Sequence, residues 1–314
     1  MKWFWPGQRL RAHGVLGMNE RNFRYVQRLN DRRRYPYVDN KVLTKEVAYR
    51  LGLPVPALIG ILRYQRDVKS FGKMVGEDKD FVIKPARGSG GNGILVVERT
   101  PEGGFMRTSG RPLGLTSIKR HLANVLSGLH SLGGQTDEVL LEEKIEPDAR
   151  LKPFSFEGVP DVRIIVAFGY PVMAMMRLAT RHSGGRANLH QGAVGVGVSL
   201  REGRALQAIW KQRPIQKHPD SGITFAELAL PSWTEALNMA ALSYEGALLP
   251  LMGVDIVYVE GRGPVILEWN ARPGLSIQLA NGQGLKPRLD WAEKVAREPR
   301  VPVERVKLAR ERWP

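Results

Sequence analysis

Cysteine is absent from this chain of 314 residues, which excludes disulfide bonds, thiolate metal ligands and a cysteine nucleophile. Long apolar runs are absent too, and a membrane-spanning helix would need a run of about eighteen such residues. The opening sequence MKWFWPGQRLRAHG has neither the apolar region nor the small-residue cleavage site of a secretory signal peptide. These absences are compatible with a cytoplasmic protein, and we predict that location.

Motifs of several enzyme classes are also missing. Neither the H-E-x-x-H zinc motif nor the G-x-S-x-G nucleophile motif occurs, so neither a zinc protease of that type nor a serine hydrolase is predicted. Acidic residues are outnumbered, with 31 aspartates and glutamates against 47 lysines and arginines and a net charge of +16. Such a charge favours anionic partners, among them nucleotide phosphates, acidic peptides, nucleic acid and membrane surfaces, but does not choose among them.

A glycine-rich hairpin is the most informative stretch of the chain. Residues 80–98 are DFVIKPARGSGGNGILVVE, in which two apolar β-type runs flank a loop rich in glycine. Glycine lets backbone N–H groups approach an anion closely, and Lys84 adds a full positive charge beside the loop. The pattern therefore predicts a flap over nucleotide phosphates. The alternative is a surface hairpin that binds no ligand.

Other glycine motifs fit this loop less well. A dinucleotide-binding G-x-G-x-x-G loop must open a helix, whereas this loop leads into the apolar run ILVVE. A Walker loop ends in G-K-[ST], but Gly93 is followed by Ile94. A protein kinase carries its lysine after the glycines and needs H-R-D and D-F-G motifs, which are absent here.

The remaining pattern alternates helices with β-hairpins and predicts an α+β protein. Helices are expected at residues 39–52, 116–132 and 233–249, and the last of these opens on a capping box, SWTE. Apolar runs on either side of Gly-Tyr-Pro predict a hairpin at residues 162–178.

The chain divides into four regions by composition. Residues 1–38 form a basic and aromatic arm, and we favour its packing across the main domain over its gripping a substrate, an acidic partner or a membrane surface. A lysine helix and lid subdomain follow at 39–137, a core with a metal site at 138–290, and a charged tail at 291–314.

A second hairpin, at residues 254–270, gathers oxygen ligands. Glu268 and Asn270 lie two apart on one strand, and a turn near Arg262 brings Asp255 opposite them, give or take one residue of register. Two carboxylates and an amide oxygen suit Mg²⁺ or Mn²⁺, which substrate phosphates also bind. The alternative is a pair of exposed acids on a sheet face, which the apolar surroundings of Asp255 disfavour.

These motifs, in this order, resemble the ATP-grasp superfamily, and most closely its alpha-L-glutamate ligase-like branch, the ribosomal-protein-glutamate-ligase relatives. The matching stretches are DNK (39–41), FVIKPARGSGGNGI (81–94), LLEEKI (140–145), DVR (161–163), RANLHQG (186–192), GVDI (253–256) and EWNARPG (268–274). The resemblance implies an α+β ATP-grasp fold in which two sheet-containing subdomains hold a nucleotide, with a reduced N-terminal region.

The resemblance also implies roles for individual residues in binding ATP. Lys41 and Lys84 match the lysines that contact ATP phosphates, although Lys41 is also consistent with an ordinary lysine on a helix face. Glu143, Lys144 and Ile145 match the hinge strand that meets adenine, largely through its backbone. The lid loop and the other nucleotide contacts match Gly88, Ser89, Gly90, Gly91, Asn92, Gly93, Asp161, Arg186 and Asn188.

The metal and catalytic positions follow from the same resemblance. Asp255, Glu268 and Asn270 match the Mg²⁺ ligands. Arg177 looks like the arginine that steadies an acyl-phosphate, with Arg163 as a second candidate beside it and Lys84 assisting by charge. A structural ion pair is the alternative for Arg177.

The implied activity is an ADP-forming carboxylate–amine ligation that proceeds through an acyl-phosphate and adds glutamate or another amino acid to a peptide or small acceptor. An ATP-grasp enzyme acting on a sugar-linked or cell-envelope metabolite is the alternative within the fold. A basic nucleic-acid or ribosome-binding protein with a secondary ATP site is the alternative from another class, which charge alone does not exclude.

The expected partner is a small-molecule or acidic peptide substrate. Ligases of this branch usually carry an α/β domain before the lysine helix, and only 38 residues precede Asp39 here. We therefore expect a protein partner, a second subunit or the basic arm to complete the substrate side.

Overall fold

The computed structural model describes residues 6–76, 79–88 and 90–314, which form two compact units. Unit 1 contains the described residues of 1–38 together with residues 46–54 and 147–314. Unit 2 contains residues 39–45 and the described residues of 55–146. Within the described ranges, no helix has the length and apolar character needed to cross a membrane.

The helices and strands have the following bounds. The α-helices are α1 (Pro6–Ala12), α2 (Met18–Glu20), α3 (Pro36–Asp39), α4 (Lys41–Arg50), α5 (Phe71–Val75), α6 (Leu115–Leu126), α7 (Trp233–Ala247), α8 (Ile277–Asn281), α9 (Lys286–Val295) and α10 (Pro302–Arg312), and a π-helix at Arg21–Gln27 continues α2. The strands are β1 (Leu58–Leu62), β2 (Phe81–Pro85), β3 (Leu95–Arg99), β4 (Phe105–Met106), β5 (Val139–Glu143), β6 (Asp161–Ala167), β7 (Tyr170–Leu178), β8 (Val194–Val198), β9 (Ala205–Trp210), β10 (Arg213–Ile215), β11 (Leu251–Val259) and β12 (Gly263–Asn270).

Unit 2 is built on an antiparallel sheet with the strand order β1-β5-β2-β3-β4. One face of α6 packs on this sheet, because Ile118, Leu122 and Val125 recur at helical spacing and are all buried. The predicted end of this helix at residue 132 was wrong. The helix ends at Leu126, and Gly128 then takes a left-handed φ of +88°, which glycine adopts without strain.

Unit 1 is built on a larger antiparallel sheet with the strand order β10-β9-β8-β7-β6-β11-β12. Strands β6, β7 and β11 are buried along almost their whole length, as their continuous runs of Val, Ile and Met require. In this sheet Asp255 lies opposite Glu268 on one neighbouring strand and opposite Arg163 on the other. The predicted position of Asp255 opposite residues 268–270, stated to within one residue, is therefore confirmed, and a β-bulge between Asp255 and Ile256 sets the final pairing.

The N-terminal arm is part of the core of unit 1. Leu16, Tyr25 and Val26 are buried in one apolar cluster with residues of β6, β7, α8 and α9. The Asn30 side chain clamps the start of β11, since its Nδ2 donates to Leu251 O at 2.7 Å and its Oδ1 accepts the Leu251 N–H at 3.0 Å. The predicted packing of the arm across the main domain is confirmed for these buried residues.

One local prediction about α7 was wrong. The helix begins at Trp233 as expected, but Ser232 forms no side-chain capping bond, so the predicted capping box does not form. Ser232 has a left-handed backbone with φ of +45°, outside the extended conformation in which an N-cap side chain reaches back to the first turn. The helix is held instead by burial of Trp233, whose Nε1 donates to Leu200 O at 3.0 Å.

Candidate functional site

In unit 2 the lysine of the predicted flap lies against a buried carboxylate. Lys84 is in β2, and Glu142 lies in the neighbouring β5 opposite Val82, two residues before Lys84. Lys84 and Glu142 are therefore diagonal neighbours on one face of the sheet. Lys84 Nζ lies 2.6 Å from Glu142 Oε2, and Lys45 Nζ lies 3.2 Å from the other oxygen. Lys45 also donates to Pro56 O at 2.6 Å. One carboxylate thus holds two ammonium groups in fixed positions.

Burial and charge act in opposition on this cluster. Burial raises the pKa of Glu142, but the charges of Lys84 and Lys45 outweigh it and leave that pKa below its ordinary value. Burial is also the largest influence on Lys45 and lowers the pKa of that ammonium despite the nearby Glu142. Glu142 was treated in the sequence analysis only as part of a matching stretch, and Lys45 was not identified at all. The spacing of Lys45, four residues after Lys41 on α4, was the signal that could have found it.

The glycine loop between β2 and β3 is anchored where it begins. Lys41 Nζ donates to Gly88 O at 2.8 Å. The buried Asp137 carboxylate accepts the Arg87 N–H with both oxygens at 3.1 Å and the Ser131 hydroxyl at 2.7 Å. Asp137 is a site residue that the sequence analysis missed, because no motif marks a carboxylate that binds a loop fifty residues away in sequence.

The loop is anchored again where it ends. His121 Nε2 lies 2.9 Å from Gly93 O, and because a carbonyl only accepts, Nε2 carries the proton. A Cβ on Gly93 would lie 2.6 Å from the His130 ring, so only glycine allows this approach. The tip between the anchors, at Gly90, Gly91 and Asn92, is exposed. Ser89, predicted to belong to the loop, lies outside the described residues.

The predicted hinge residues follow β5 and are held by side-chain contacts. Glu143 ends the strand, and its Oε1 accepts the Ala57 N–H at 2.7 Å. Lys144 Nζ donates to Glu98 at 2.7 Å and to Asp80 at 3.2 Å. Burial lowers the pKa of Lys144, but these carboxylates outweigh it and raise that pKa above the ordinary value. Ile145 comes directly after them and is half-buried. The adenine contact of these residues stays a prediction.

In unit 1 the predicted metal ligands lie together. Asn270 Nδ2 is 3.2 Å from Asp255 Oδ2 and 3.4 Å from Glu268 Oε1. Which end of the Asn270 amide faces the carboxylates is an assignment, since nitrogen and oxygen can exchange places by rotation. Two carboxylates and an amide form an oxygen donor set that fits Mg²⁺ or Mn²⁺ with phosphate oxygens beside it. Within the described ranges, no three histidine, aspartate or glutamate side chains form a metal-binding group.

Two arginines surround the same carboxylates. Arg163 binds Asp255 with both arms of its fork, Nε to Oδ1 at 2.8 Å and Nη2 to Oδ2 at 2.6 Å. Arg177 also binds Asp255 Oδ2, at 2.7 Å, and its fork grips Asp161 across the β6–β7 ladder. The two arginines predicted as catalytic candidates and the predicted nucleotide-contacting Asp161 thus form one network with the metal ligands.

Within this network the pKa values of Asp255 and Asp161 shift in opposite directions. Burial raises the pKa of Asp255, but the charges of Arg163 and Arg177 outweigh it and hold that pKa below its usual range. Burial raises the pKa of Asp161 to about 6, against the opposing charge of Arg177. Asp255 therefore stays ionised to lower pH than Asp161, whose two oxygens accept from Arg177 and orient it.

The predicted loop residues Arg186 and Asn188 are less closely involved. Asn188 caps a short 3₁₀ turn, accepting the His190 N–H at 3.0 Å. Arg186 is exposed, and its backbone N–H donates to Ser183 O at 3.3 Å. Among the described contacts, neither side chain joins the Asp255 network, so their role with nucleotide stays a prediction.

Comparison with known proteins gives the family. A model of the sugar-transfer associated ATP-grasp family matches residues 20–294. No curated protein matches. Among solved structures, the chain is similar to the ATP-grasp ligase PsnB in complex with a minimal precursor, at 16% identity and a TM-score of 0.48 over 86% of this chain and 63% of that one. The chain thus spans less than two thirds of the length of PsnB.

Two further structures are similar at the same level. An ATP-grasp RimK domain protein from Sphaerobacter thermophilus has 15% identity and a TM-score of 0.47, covering 84% of this chain and 70% of that one. D-alanine–D-alanine ligase from Bacillus anthracis, complexed with ATP, has 15% identity and a TM-score of 0.46, covering 85% and 70%.

The predicted superfamily and the α+β fold are confirmed. Members of the ATP-grasp superfamily are ADP-forming carboxylate–amine ligases, and ATP with Mg²⁺ are their cofactors. The narrower glutamate-ligase branch stays a prediction, since the matching family model has a different description. With most of its length matched, the chain belongs to the sugar-transfer associated ATP-grasp family.

Proposed function

We propose that this protein is an ATP-dependent carboxylate–amine ligase that forms an amide bond through an acyl-phosphate and releases ADP. The observation that carries the proposal is the meeting of Asp255, Glu268 and Asn270, an oxygen donor set, with the forked guanidinium groups of Arg163 and Arg177. Phosphoryl transfer needs charge neutralisation more than covalent help from the protein, and this network supplies both signs of charge in fixed positions.

The nucleotide phosphates are assigned to residues of unit 2. Lys41 and Lys84 supply the positive charges, and the backbone of the glycine loop supplies N–H donors. Lys84 is already desolvated and aimed by Glu142, so little side-chain entropy is lost when it meets a phosphate. Glu143, Lys144 and Ile145 are proposed to meet adenine, and Arg186 and Asn188 to contact the nucleotide.

The metal is assigned to Asp255, Glu268 and Asn270. A bound Mg²⁺ or Mn²⁺ would supply charge to the phosphate oxygens and so complement the two lysines. The residues of the chain then have separate tasks. Arg163 keeps Asp255 ionised and fixed, and Arg177, oriented by Asp161, presents permanent charge toward the transferring group.

The reaction proposed has two steps. A substrate carboxylate attacks the γ-phosphate of ATP, the bond from that phosphorus to the bridging oxygen breaks, and ADP leaves. The amine of the second substrate then attacks the acyl carbon, loses a proton and displaces inorganic phosphate, which forms the amide. The amine donor is assigned to glutamate or another amino acid, and the acceptor to a peptide or small acid.

A second candidate function concerns the acceptor. The matching family is described as sugar-transfer associated, and that description favours a carboxylate on a sugar-linked or cell-envelope metabolite. The ligation chemistry would be the same. A protein partner or second subunit on the substrate side remains part of the proposal.

The test is a screen for substrate-dependent ADP release. The purified chain is given Mg²⁺-ATP with each amino acid in turn, paired with acidic peptides or with carboxylate-bearing sugar nucleotides, and the products are identified by mass spectrometry. We expect ADP release with a product heavier by one amide-linked residue. Glu268→Gln should abolish the release with its fold intact, whereas Glu202→Gln, an exposed carboxylate, should not. Salt-sensitive nucleic-acid binding without any substrate-dependent ADP release would overturn the proposal.

A further inference from the structure

The N-terminal arm presents an exposed surface that combines apolar and basic side chains. We propose that this arm surface, formed by Arg9, Leu10, Arg11, Met18, Phe23 and Arg28, binds the surface of an anionic lipid bilayer. The proposal is independent of the ligase chemistry, because none of these residues belongs to the site described above.

The apolar part of the arm surface is unusually open. Leu10 is 52% exposed, Met18 65% and Phe23 72%. Single exposed apolar residues are common on proteins, but here three large ones lie within fourteen residues of chain. The same stretch buries Leu16 and Tyr25 almost completely. The arm therefore separates one set of apolar side chains that packs from another that faces solvent.

The local backbone fixes this separation. α1 is exposed at every residue from 7 to 12, so no described part of the chain covers it. In the π-helix that follows, the Arg28 N–H bonds to Phe23 O, five residues back. This wider turn places Phe23 and Arg28 one turn apart, while Tyr25 and Val26 face the core. Phe23 and Arg28 are both exposed, so this turn presents an apolar and a basic residue to solvent.

The charges of the arm surface are not used inside the protein. Arg21 donates to Pro273 O, Arg24 pairs with Asp290, and both serve to hold the arm in place. By contrast, the side chains of Arg9, Arg11 and Arg28 form no hydrogen bond or ion pair with another residue of the described ranges. All three are exposed, and the chain as a whole carries a charge of +16. These arginines are available to phosphate headgroups.

The combination favours a bilayer over other anionic partners. Proteins bind nucleic acid and other acidic polymers through basic side chains and aromatic stacking. Neither kind of contact needs exposed Leu or Met side chains. A bilayer surface offers phosphates to the arginines and a hydrocarbon boundary to Leu10, Met18 and Phe23, as in peripheral helices that lie in the interface. The described residues contain no helix able to span a membrane, so the contact is peripheral.

The test is co-sedimentation of the full chain with vesicles. One set is phosphatidylcholine alone, and the other is phosphatidylcholine mixed with phosphatidylglycerol. We expect binding only to the anionic vesicles and a decrease as salt rises. A variant with Leu10→Ser, Met18→Ser and Phe23→Ser, and another with Arg9→Gln, Arg11→Gln and Arg28→Gln, should each lower the affinity by about tenfold or more.

Matched controls separate this surface from general properties of the chain. Leu279→Ser changes an apolar residue of unit 1 that is 54% exposed, and it should have no effect. Removing three exposed charges elsewhere, with Lys294→Gln, Arg297→Gln and Lys307→Gln, gives the same net charge as the arginine variant and should retain binding. All variants should keep the wild-type melting temperature, since every changed side chain is exposed.

Two outcomes would overturn the proposal. The first is no sedimentation with anionic vesicles at low salt. The second is vesicle binding that the serine variant retains in full, together with equal binding to heparin, a soluble polyanion. That pattern would mean charge-driven binding to polymers such as nucleic acid rather than to a bilayer.

Discussion

The ammonium of Lys84 lies 2.6 Å from Glu142 Oε2, and this contact sits in the interior of unit 2 with Glu142 only 2% exposed. The other oxygen of the same carboxylate faces Lys45 at 3.2 Å. The Lys84 ammonium, which we propose to contact a phosphate, is thereby held in a fixed and largely buried position. The carboxylate also balances two positive charges that would otherwise repel each other at this depth.

Glu142→Gln should destabilise unit 2 and weaken ATP binding. The amide leaves two buried ammonium groups without a countercharge, and breaking such a pair costs about 3–5 kcal/mol of unfolding free energy. Urea unfolding and calorimetric ATP titration measure the two effects. The matched control is Glu138→Gln, which breaks the more exposed Arg63–Glu138 pair and should cost less than about 1 kcal/mol. Equal effects of the two variants would contradict the assigned role of Glu142.

Gly93→Ala should impair the glycine loop, whereas Gly91→Ala should impair it less. Both glycines have left-handed φ angles, +78° and +77°, so the backbone strain of an alanine is similar at the two positions. Only at Gly93 would the new Cβ meet a side chain, the His130 ring at 2.6 Å, whereas Gly91 has nothing within 4 Å. Hydrogen exchange of residues 86–93 with and without ATP measures loop ordering. Identical protection in the two variants would show that the close approach of Gly93 to the His130 ring does not constrain the loop.

The His121 anchor should make unit 2 less stable as the solution becomes acidic. Burial is the main cause that lowers the pKa of His121 below its ordinary 6.5, and the charges of His130 and Arg107 lower it further. The bond to Gly93 O acts in the opposite direction but does not outweigh these effects. Below pH 6.5 the unfolded chain therefore binds a proton that the folded chain resists, so stability falls from there down to the lowered folded pKa.

The measurement is urea unfolding at about pH 8 and about pH 5.5. His121→Gln keeps a side-chain N–H for Gly93 O but cannot take up a proton. Its loss of stability between the two pH values should be smaller than that of the wild type. A pH dependence that the substitution leaves unchanged would show that His121 is not the group responsible.

Arg177→Lys should lower both turnover and stability. Lysine keeps the charge but not the fork, so it cannot hold Asp161 and Asp255 together, and a loss on the order of 3 kcal/mol is expected. ADP release and amide formation, measured at a temperature where the variant is fully folded, separate the two effects. We expect ATP affinity to change little and amide formation to fall by orders of magnitude. Normal turnover in the folded variant would remove Arg177 from the catalytic role.

Local patterns in the sequence predicted much of this fold. The Val and Ile runs around Gly261 and Gly263 specify a hairpin, because a tight turn between two apolar strands leaves little choice of pairing. The sequence predicted the partner of Asp255 only to within one residue, since a β-bulge between Asp255 and Ile256 shifts the pairing so that Glu268 lies opposite Asp255. The glycine-rich loop was likewise predicted to connect two strands, because apolar runs flank it on both sides. Burial of Asp255 also followed from its apolar neighbours.

Contacts between side chains distant in sequence could not be predicted. Lys45 and Glu142 are ninety-seven residues apart, and nothing near either one indicates that they meet. Asp161 and Arg177 each matched a family position separately, but only the β6–β7 register shows that one grips the other. The end of α6 was overestimated because apolar spacing continues to Leu129, whereas the turn at Gly128 needs a backbone conformation that periodicity does not report.

Unit 1 takes its core from both ends of the chain, since Leu16 and Tyr25 share one apolar cluster with Leu285 and Leu289. A nascent chain that has emerged through residue 146 contains all of unit 2 but lacks the later members of that cluster. Unit 2 can therefore fold on the ribosome before the residues against which the apolar side chains of the arm pack have been synthesised. During that interval the apolar side chains of the arm are exposed to solvent or to a chaperone, and the time needed to translate residues 147–292 sets how long the exposure lasts.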